Sequence, residues 1–259
     1  MLYTLKRWIS GASADAECGG LPEWCKQQGW DLKRVREVGG FVIDGAMDGA
    51  AGKLPWRLEW GPSQRDYITG RELRMRMELH LPADLQMLLL SRPLMETLER
   101  AAYEQFTQTS QTFVDGSAPE EMRWLSMFTK VAAADRDLRS RFGVVASEPS
   151  WGAAWLDGPL TEQFNQAVQA WMASEPPFVL MTLRGRLYLR LGCEQPDPGL
   201  VQAVVALFCK AAQQAHRVGQ SIGMVSTTEW PSTAISAWQA QLDAAQAEQT
   251  QASPPHQPR

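Results

Sequence analysis

The chain is poor in the residues that mark small disulfide-bonded, collagen-like or disordered proteins. Its 259 residues include only 4 cysteines, 20 glycines and 16 prolines. Low-complexity chains typically contain about 25–30% glycine plus proline, and this chain has far less. Hydrophobic residues make up 44% of the sequence, an ordinary value for a folded globular protein. We therefore expect one or two domains that bury a substantial core.

The sequence also lacks long apolar runs and an excess of charge of one sign. Apolar runs such as Ala203 to Cys209 fall far short of the roughly 20 residues that cross a bilayer. The 25 lysines and arginines nearly balance the 29 aspartates and glutamates, which gives a net charge of -4. This balance provides no general attraction to nucleic acid or anionic lipid. We expect no nucleic-acid partner and no membrane span.

The cysteines and the first residues indicate the compartment. No two cysteines form a C-x-x-C pair, and residues 1–10 are not followed by the apolar stretch of an export signal. Cysteines in a chain without such a leader are typical of reduced thiols in a reducing compartment. We expect a cytoplasmic location, with free thiols at Cys18, Cys25, Cys193 and Cys209.

Alternating side chains predict a mainly antiparallel sheet. Three segments between residues 39 and 79, separated by turn signals, are typical of a meander. The last segment is the clearest, because charged and apolar residues alternate from Glu72 to Leu79. We assign turns to Asp44-Gly45 and Asp48-Gly49, because their spacing does not fit a calcium loop.

A hairpin and three helices are predicted beyond the meander. Residues 178–183 and 187–191 have the pattern of two paired strands. We expect Asp197 to cap the third helix and Gly219 to end it. For the stretch 117–145, the sequence pattern fits both helix and strand, and we leave both alternatives open. Each helix begins near a proline, which suits a first turn that needs no N–H donor, and these prolines are Pro93, Pro159 and Pro198.

These elements predict an α+β fold, in which a mainly antiparallel sheet is covered on one face by three or more helices. The segments Gly70–Arg76 and Gly185–Arg190 resemble each other, either because the domain has two related strand-helix halves or by chance. We divide the chain into a polar N-terminal extension with a short helix at residues 1–37, an α+β core at 38–219, a C-terminal helix at 220–250 and a disordered tail at 251–259.

Residues that commonly carry catalysis are scarce. The sequence has no G-x-S-x-G, no G-x-x-x-x-G-K-S/T or G-x-G-x-x-G phosphate loop, no H-E-x-x-H and no paired cysteine spacing. Of its 3 histidines, His256 lies in the predicted tail and His216 near a predicted helix end. His80 is left without a recognisable partner. We therefore predict no catalytic residue, no metal site and no cofactor.

Arginines, in contrast, are sorted onto strand faces. Even spacing places Arg74 and Arg76 on one strand face and Arg184, Arg186 and Arg190 on another. If the two strands are neighbours, five guanidinium groups lie over one side of the sheet and could hold phosphate or carboxylate groups. The alternative is a solvated ladder of ion pairs. The acidic residues available for such pairs are Glu59, Asp66, Glu72, Glu78 and Glu194.

Tryptophan is unusually abundant, with 11 residues against 4 tyrosines. Trp56, Trp60 and Trp171 fall on apolar faces, which predicts that they belong to the core. Trp151 and Trp155 lie one helical turn apart before a Gly-Pro break. This pair forms either a ledge for docking a partner or part of the core.

The sequence predicts function only as a class. The leading hypothesis is a non-catalytic binding or assembly protein that uses the arginine face or the Trp151 and Trp155 pair. Its partner would be an acidic protein or an anionic small ligand. One alternative is an enzyme whose site is assembled from dispersed carboxylates and arginines. Another is a peripheral membrane protein, which the balanced charge and the lack of a basic amphipathic helix disfavour. The oligomeric state is not indicated.

Overall fold

One antiparallel sheet of nine strands organises the residues that the structure describes. The computed structural model describes residues 20–36, 39–49, 52–108 and 119–225. The strands are β1 Asp31–Val35, β2 Gly40–Gly49, β3 Gly52–Pro62, β4 Arg71–Glu78, β5 Met87–Ser91, β6 Thr129–Lys130, β7 Phe142–Ala146, β8 Phe178–Leu183 and β9 Arg186–Gly192. They lie side by side in the order β1-β2-β3-β4-β9-β8-β5-β7-β6.

Seven helices accompany the sheet within these described ranges. They are α1 Leu21–Gln27, α2 Arg92–Gln108, α3 Glu120–Met127, α4 Arg136–Arg141, α5 Pro149–Leu156, α6 Pro159–Ala170 and α7 Pro198–Val225. The Asp197 carboxylate caps α7 as predicted, because its Oδ1 accepts from the Leu200 N–H at 2.8 Å. Sheet and helices together confirm the predicted α+β class. None of the described helices is long and apolar enough to span a bilayer.

The predicted meander is present as β2, β3 and β4, but one predicted turn is wrong. Asp44-Gly45 lies inside β2, where it pairs with Arg57 and Trp56 of β3. Gly45 is required there because a Cβ atom would overlap the indole of Trp56. Glycine within a strand commonly marks such a close approach. Alternation along β2 then directs Asp44 to the opposite face of the sheet from Trp56.

Helices cover both faces of the sheet, so the predicted cover on one face only is wrong. On the first face, the ring of Phe164 in α6 lies 5.1 Å from that of Phe142 and 5.9 Å from that of Phe178. On the second face, α2 and α3 pack over β5, β7 and β8. The sequence pattern missed this because these three strands are buried on both faces and do not alternate. The buried cluster on the second face is Leu88, Leu90, Leu94, Met95, Leu98, Ala102, Met122, Trp124, Val145, Val179 and Met181.

The helix α7 continues beyond its predicted end. It runs through Gly219 to Val225. Gly219 is a packing position, because a Cβ atom there would lie 2.8 Å from Leu81 Cδ2. His216 is therefore inside the helix and not at its carboxyl end. The described residues as far as Gln220 belong to one compact unit, and those from Ser221 to Val225 belong to a second.

The remaining local predictions have mixed outcomes. The hairpin is confirmed as β8 and β9, and β9 also pairs with β4, so the two similar Gly-Arg segments lie side by side. Their connections differ, because β4 leads into β5 before α2, whereas β9 leads directly into α7. Within the stretch left open, described residues form α3, β6, α4 and part of β7. The predicted tail at 251–259, nearly all of the predicted helix at 220–250, Cys18 and His256 lie outside the described residues.

Candidate functional site

The outward side chains of β2, β3, β4 and β9 form a charged surface, which we name the open half-sheet. It lies on the second face, beside the part that α2 and α3 cover. The register of β4 and β9 places Arg74 opposite Arg190, and the register of β3 and β4 places Arg57 opposite Arg76. The two arginine-bearing strands, β4 and β9, are thus neighbours. Four of the five predicted arginines share this face, and these are Arg74, Arg76, Arg186 and Arg190.

Arg184 is the exception among the predicted arginines. It lies in the turn between β8 and β9 with a φ of 51°, and its side chain is exposed. Even spacing failed at this position because β8 ends at Leu183 and alternation ends with the strand. Arg184 therefore does not belong to the open half-sheet.

Arg74 and Arg190 belong to a buried ion-pair cluster. Both arginine side chains are only 17% exposed, and both donate to the Glu72 carboxylate, at 3.2 and 2.8 Å. Arg74 also pairs with Glu59 at 3.0 Å. Glu72 is fully buried, and its Oε1 accepts the Gln64 N–H at 3.0 Å. For these two arginines, the structure supports the alternative of ion pairs, although the pairs form a buried cluster and not the solvated ladder that we expected.

A second buried carboxylate lies at the adjoining end of α3. Glu121 is 1% exposed and accepts the Tyr67 hydroxyl at 2.8 Å. Arg65 approaches the same carboxylate at 3.6 Å. Burial, followed by the charge of Glu121, raises the pKa of Tyr67 well above its ordinary value. These contacts tie the loop between β3 and β4 to α3, so Glu121 is a structural residue.

The exposed part of the open half-sheet contains a different pair, Arg57 and Asp44. Arg57 Nε donates to Asp44 Oδ1 at 2.7 Å, and Nη2 donates to Oδ2 at 3.0 Å. This bidentate pair lowers the pKa of Asp44 and raises that of Arg57, in each case chiefly through the side-chain hydrogen bonds. The positive charge of Arg57 therefore has a countercharge within the molecule.

Arg186 has a countercharge of the same kind at the other side. Its Nε donates to Glu78 Oε2 at 2.5 Å. The pKa of Arg186 is raised chiefly by this bond, with a further hydrogen bond to Tyr188. Arg186 is 54% exposed, so its charge lies at the surface although it is paired.

Arg76 differs from all of these arginines. Its side chain is exposed, and within the described ranges it forms no ion pair or hydrogen bond. Its cross-strand neighbours are Arg57 on β3 and Tyr188 on β9. Directly opposed side chains in an antiparallel pair have Cβ atoms about 5 Å apart, and like charges in this position are destabilising. Arg76 is thus a cation beside a second cation, without a carboxylate of its own.

A groove with a volume of about 310 Å³ opens beside Arg76. We name it the arginine groove, and its charged lining residues are Asp44, Arg57, Arg76, Glu78 and Arg186. Three positive and two negative side chains leave one positive charge, which is that of Arg76. No family model, curated protein or solved structure matches the chain. The chemistry of this site therefore has to be inferred from its own residues.

Of the two alternatives for Trp151 and Trp155, a docking ledge or part of the core, the structure supports the core for Trp155. Trp155 is fully buried, and its Nε1 donates to the Ala211 carbonyl of α7 at 3.0 Å. Trp151 is half-buried. An indole enclosed between α5 and α7 cannot be an anchor for a partner, so the alternative of core packing is correct for Trp155. Trp56 and Trp60 are core residues as predicted, with 3% and 7% exposure.

The described residues offer little for nucleophilic or metal chemistry. Three free cysteines are present, and burial raises the pKa of Cys25, Cys193 and Cys209 to about 11. Protonated thiols are poor nucleophiles at neutral pH. Burial also lowers the pKa of His216, with a smaller contribution from His80. Within the described ranges, no group of three or more ligand side chains could hold a metal ion.

Sequence reasoning missed Asp44 and Arg57 as parts of the site. Arg57 follows Trp56 in a strand with clear alternation, so its outward direction could have been predicted. Asp44 could not, because an Asp-Gly pair is also the commonest signature of a turn. The pairing of Asp44 with Arg57 and of Gly45 with Trp56 shows that β2 continues through this point.

Proposed function

We propose that the chain is a non-catalytic binding protein that holds an anionic group in the arginine groove. The observation that carries this proposal is that Arg76, beside the arginine groove, has no carboxylate partner among the residues that the structure describes. Arg57 and Arg186 each have a carboxylate partner in the molecule, at 2.7 and 2.5 Å. A bound anion would supply the missing countercharge and remove the repulsion between Arg57 and Arg76.

The alternative of an enzyme has less support. Glu72 and Glu121 are 0% and 1% exposed and are occupied by arginine and tyrosine. The two carboxylates that line the arginine groove, Asp44 and Glu78, are held in ion pairs with Arg57 and Arg186. The alternative of a peripheral membrane protein has even less support, because the arginine groove has two carboxylates among its five charged residues. We also propose a cytoplasmic location, which the three free cysteines support.

Isothermal titration calorimetry of the whole chain tests the proposal, with inorganic phosphate and a polyglutamate peptide as probes. We expect at least one probe to bind, and Arg76→Gln to weaken that binding about tenfold or more, because a hydrogen bond to a charged group is lost. Arg184→Gln is the matched control, since it removes an exposed arginine outside the arginine groove. Absence of binding, or equal losses in the two variants, would contradict the proposal.

A further inference from the structure

We infer that the arginine groove takes a single compact oxyanion, the phosphate or carboxylate end of a small molecule, and rejects extended polyanions. This inference rests on the proposed function and adds the class of ligand. It follows from the positions of the two carboxylates relative to Arg76, from the hydrogen-bond donors that remain unused, and from the size of the arginine groove.

The carboxylates lie on two sides of Arg76. Asp44 is beyond Arg57 in the same cross-strand row. Glu78 is two residues further along β4, which corresponds to about 7 Å of strand, and lies opposite Arg186. A polyanion that crosses the arginine groove would bring further negative charges close to one of these carboxylates. A single oxyanion at Arg76 avoids both.

The donors that remain also suit one small group. Arg57 uses Nε and Nη2 for Asp44, which leaves its Nη1 for another acceptor. Arg76 contributes a whole guanidinium fork, whose geometry matches two oxygens of a phosphate or carboxylate. Because Arg57 and Arg76 are opposed in register, both can donate to the same oxyanion. The arginine groove itself, at about 310 Å³, is at the small end of ligand pockets, which are roughly 300–1,000 Å³.

Side-chain NMR of arginine Nε–H groups tests this inference in the whole chain. The probes are inorganic phosphate, acetate and a polyglutamate peptide, added at equal ionic strength. We expect the Arg76 resonance to shift with phosphate or acetate, and the dissociation constant of that probe to rise about tenfold or more in Arg76→Gln. The acetate and phosphate titrations distinguish the two kinds of oxyanion. Arg184→Gln should leave the dissociation constants unchanged.

A second variant tests the role of the carboxylates. We expect Asp44→Asn combined with Glu78→Gln to raise polyglutamate affinity by about fivefold, because one negative charge about 7 Å from Arg76 along β4 and a second about 10 Å away, two strands across, are removed. An unchanged polyglutamate affinity in this double variant would overturn the inference.

The possible failures are distinguishable. If polyglutamate binds through Arg76 more tightly than both phosphate and acetate, the compact-oxyanion inference is wrong and the proposed binding function stands. If none of the three probes shifts the Arg76 resonance, both are wrong.

Discussion

Replacing Glu72 by glutamine should destabilise the protein strongly, although the two side chains have nearly the same volume. Glu72 Oε1 accepts from Gln64 N, Arg74 Nη1 and Arg190 Nη1, at 3.0, 3.2 and 2.8 Å. Glutamine keeps one oxygen acceptor at this point, but it removes the negative charge and places an NH2 donor where Glu72 Oε2 is buried without a hydrogen-bond partner. Arg74 retains Glu59, whereas Arg190 loses the one carboxylate with which it forms an ion pair among the described residues.

The magnitude follows from the burial of this cluster. Removing one partner of a buried ion pair costs about 3–5 kcal/mol. The arginine side chains are 17% exposed, so water screens part of the loss, and we expect about 2–4 kcal/mol. With a urea m-value of about 3 kcal/mol/M, the unfolding midpoint should fall by about 1 M.

Urea unfolding followed by tryptophan fluorescence and circular dichroism measures this shift. Glu175→Gln is the control, because Glu175 is 44% exposed and pairs with the exposed Arg141 at 3.2 Å. Removing an exposed pair of this kind should cost less than about 1 kcal/mol. If Glu72→Gln lowers the midpoint no more than Glu175→Gln does, the cluster is not desolvated and the reasoning is refuted.

Three further predictions concern the core. Gly45→Ala should cost about 1–3 kcal/mol in urea unfolding because its methyl group would meet the Trp56 indole, whereas Gly61→Ala, with no atom within 4 Å of the new Cβ, should be near neutral. Trp155→Phe should cost about 1–3 kcal/mol, because it removes the bond to the Ala211 carbonyl and part of a packed ring, and an unchanged unfolding midpoint would contradict this. His216 has a folded-state pKa below its ordinary 6.5, so the unfolded chain binds the proton more readily and stability falls as the pH drops below 6.5. His216→Gln should therefore lose less stability between pH 7.5 and pH 5.5 than the unaltered chain, and equal losses would contradict this.

The sequence predicts the direction of side chains within strands far better than it predicts their surroundings. Alternation along β4 and β9 correctly places Arg74, Arg76, Arg186 and Arg190 on one face, because the side-chain period of a strand is a local property. Alternation predicts the same outward direction and the same exposure for Glu72 and Glu78, since both lie on the outward face of β4. Yet Glu72 is fully buried and Glu78 is 35% exposed, because only Glu72 is covered by the loop after β3.

Pairings between distant segments could not be predicted either. Which arginines have a carboxylate partner in the molecule depends on the register of β3 with β4 and of β4 with β9. The packing of α2 and α3 on the second face could not be predicted, because β5, β7 and β8 are uniformly apolar. Such runs do not indicate which side chains point to which face of the sheet. Local periodicity thus predicts an arginine-bearing face, and tertiary contacts determine that Arg76 is the arginine of this face that has no ion pair among the described residues.

The most direct test of the central claim is the effect of phosphate and of acetate on stability in the unaltered chain and in Arg76→Gln. A ligand that binds only the folded state at ten times its dissociation constant stabilises it by about 1.4 kcal/mol. Urea midpoints would be measured with phosphate, with acetate and with chloride at equal ionic strength. We predict that phosphate or acetate raises the midpoint of the unaltered chain and of Arg184→Gln but not that of Arg76→Gln. An equal rise in all three proteins, or no rise in any, would contradict an anion site at Arg76.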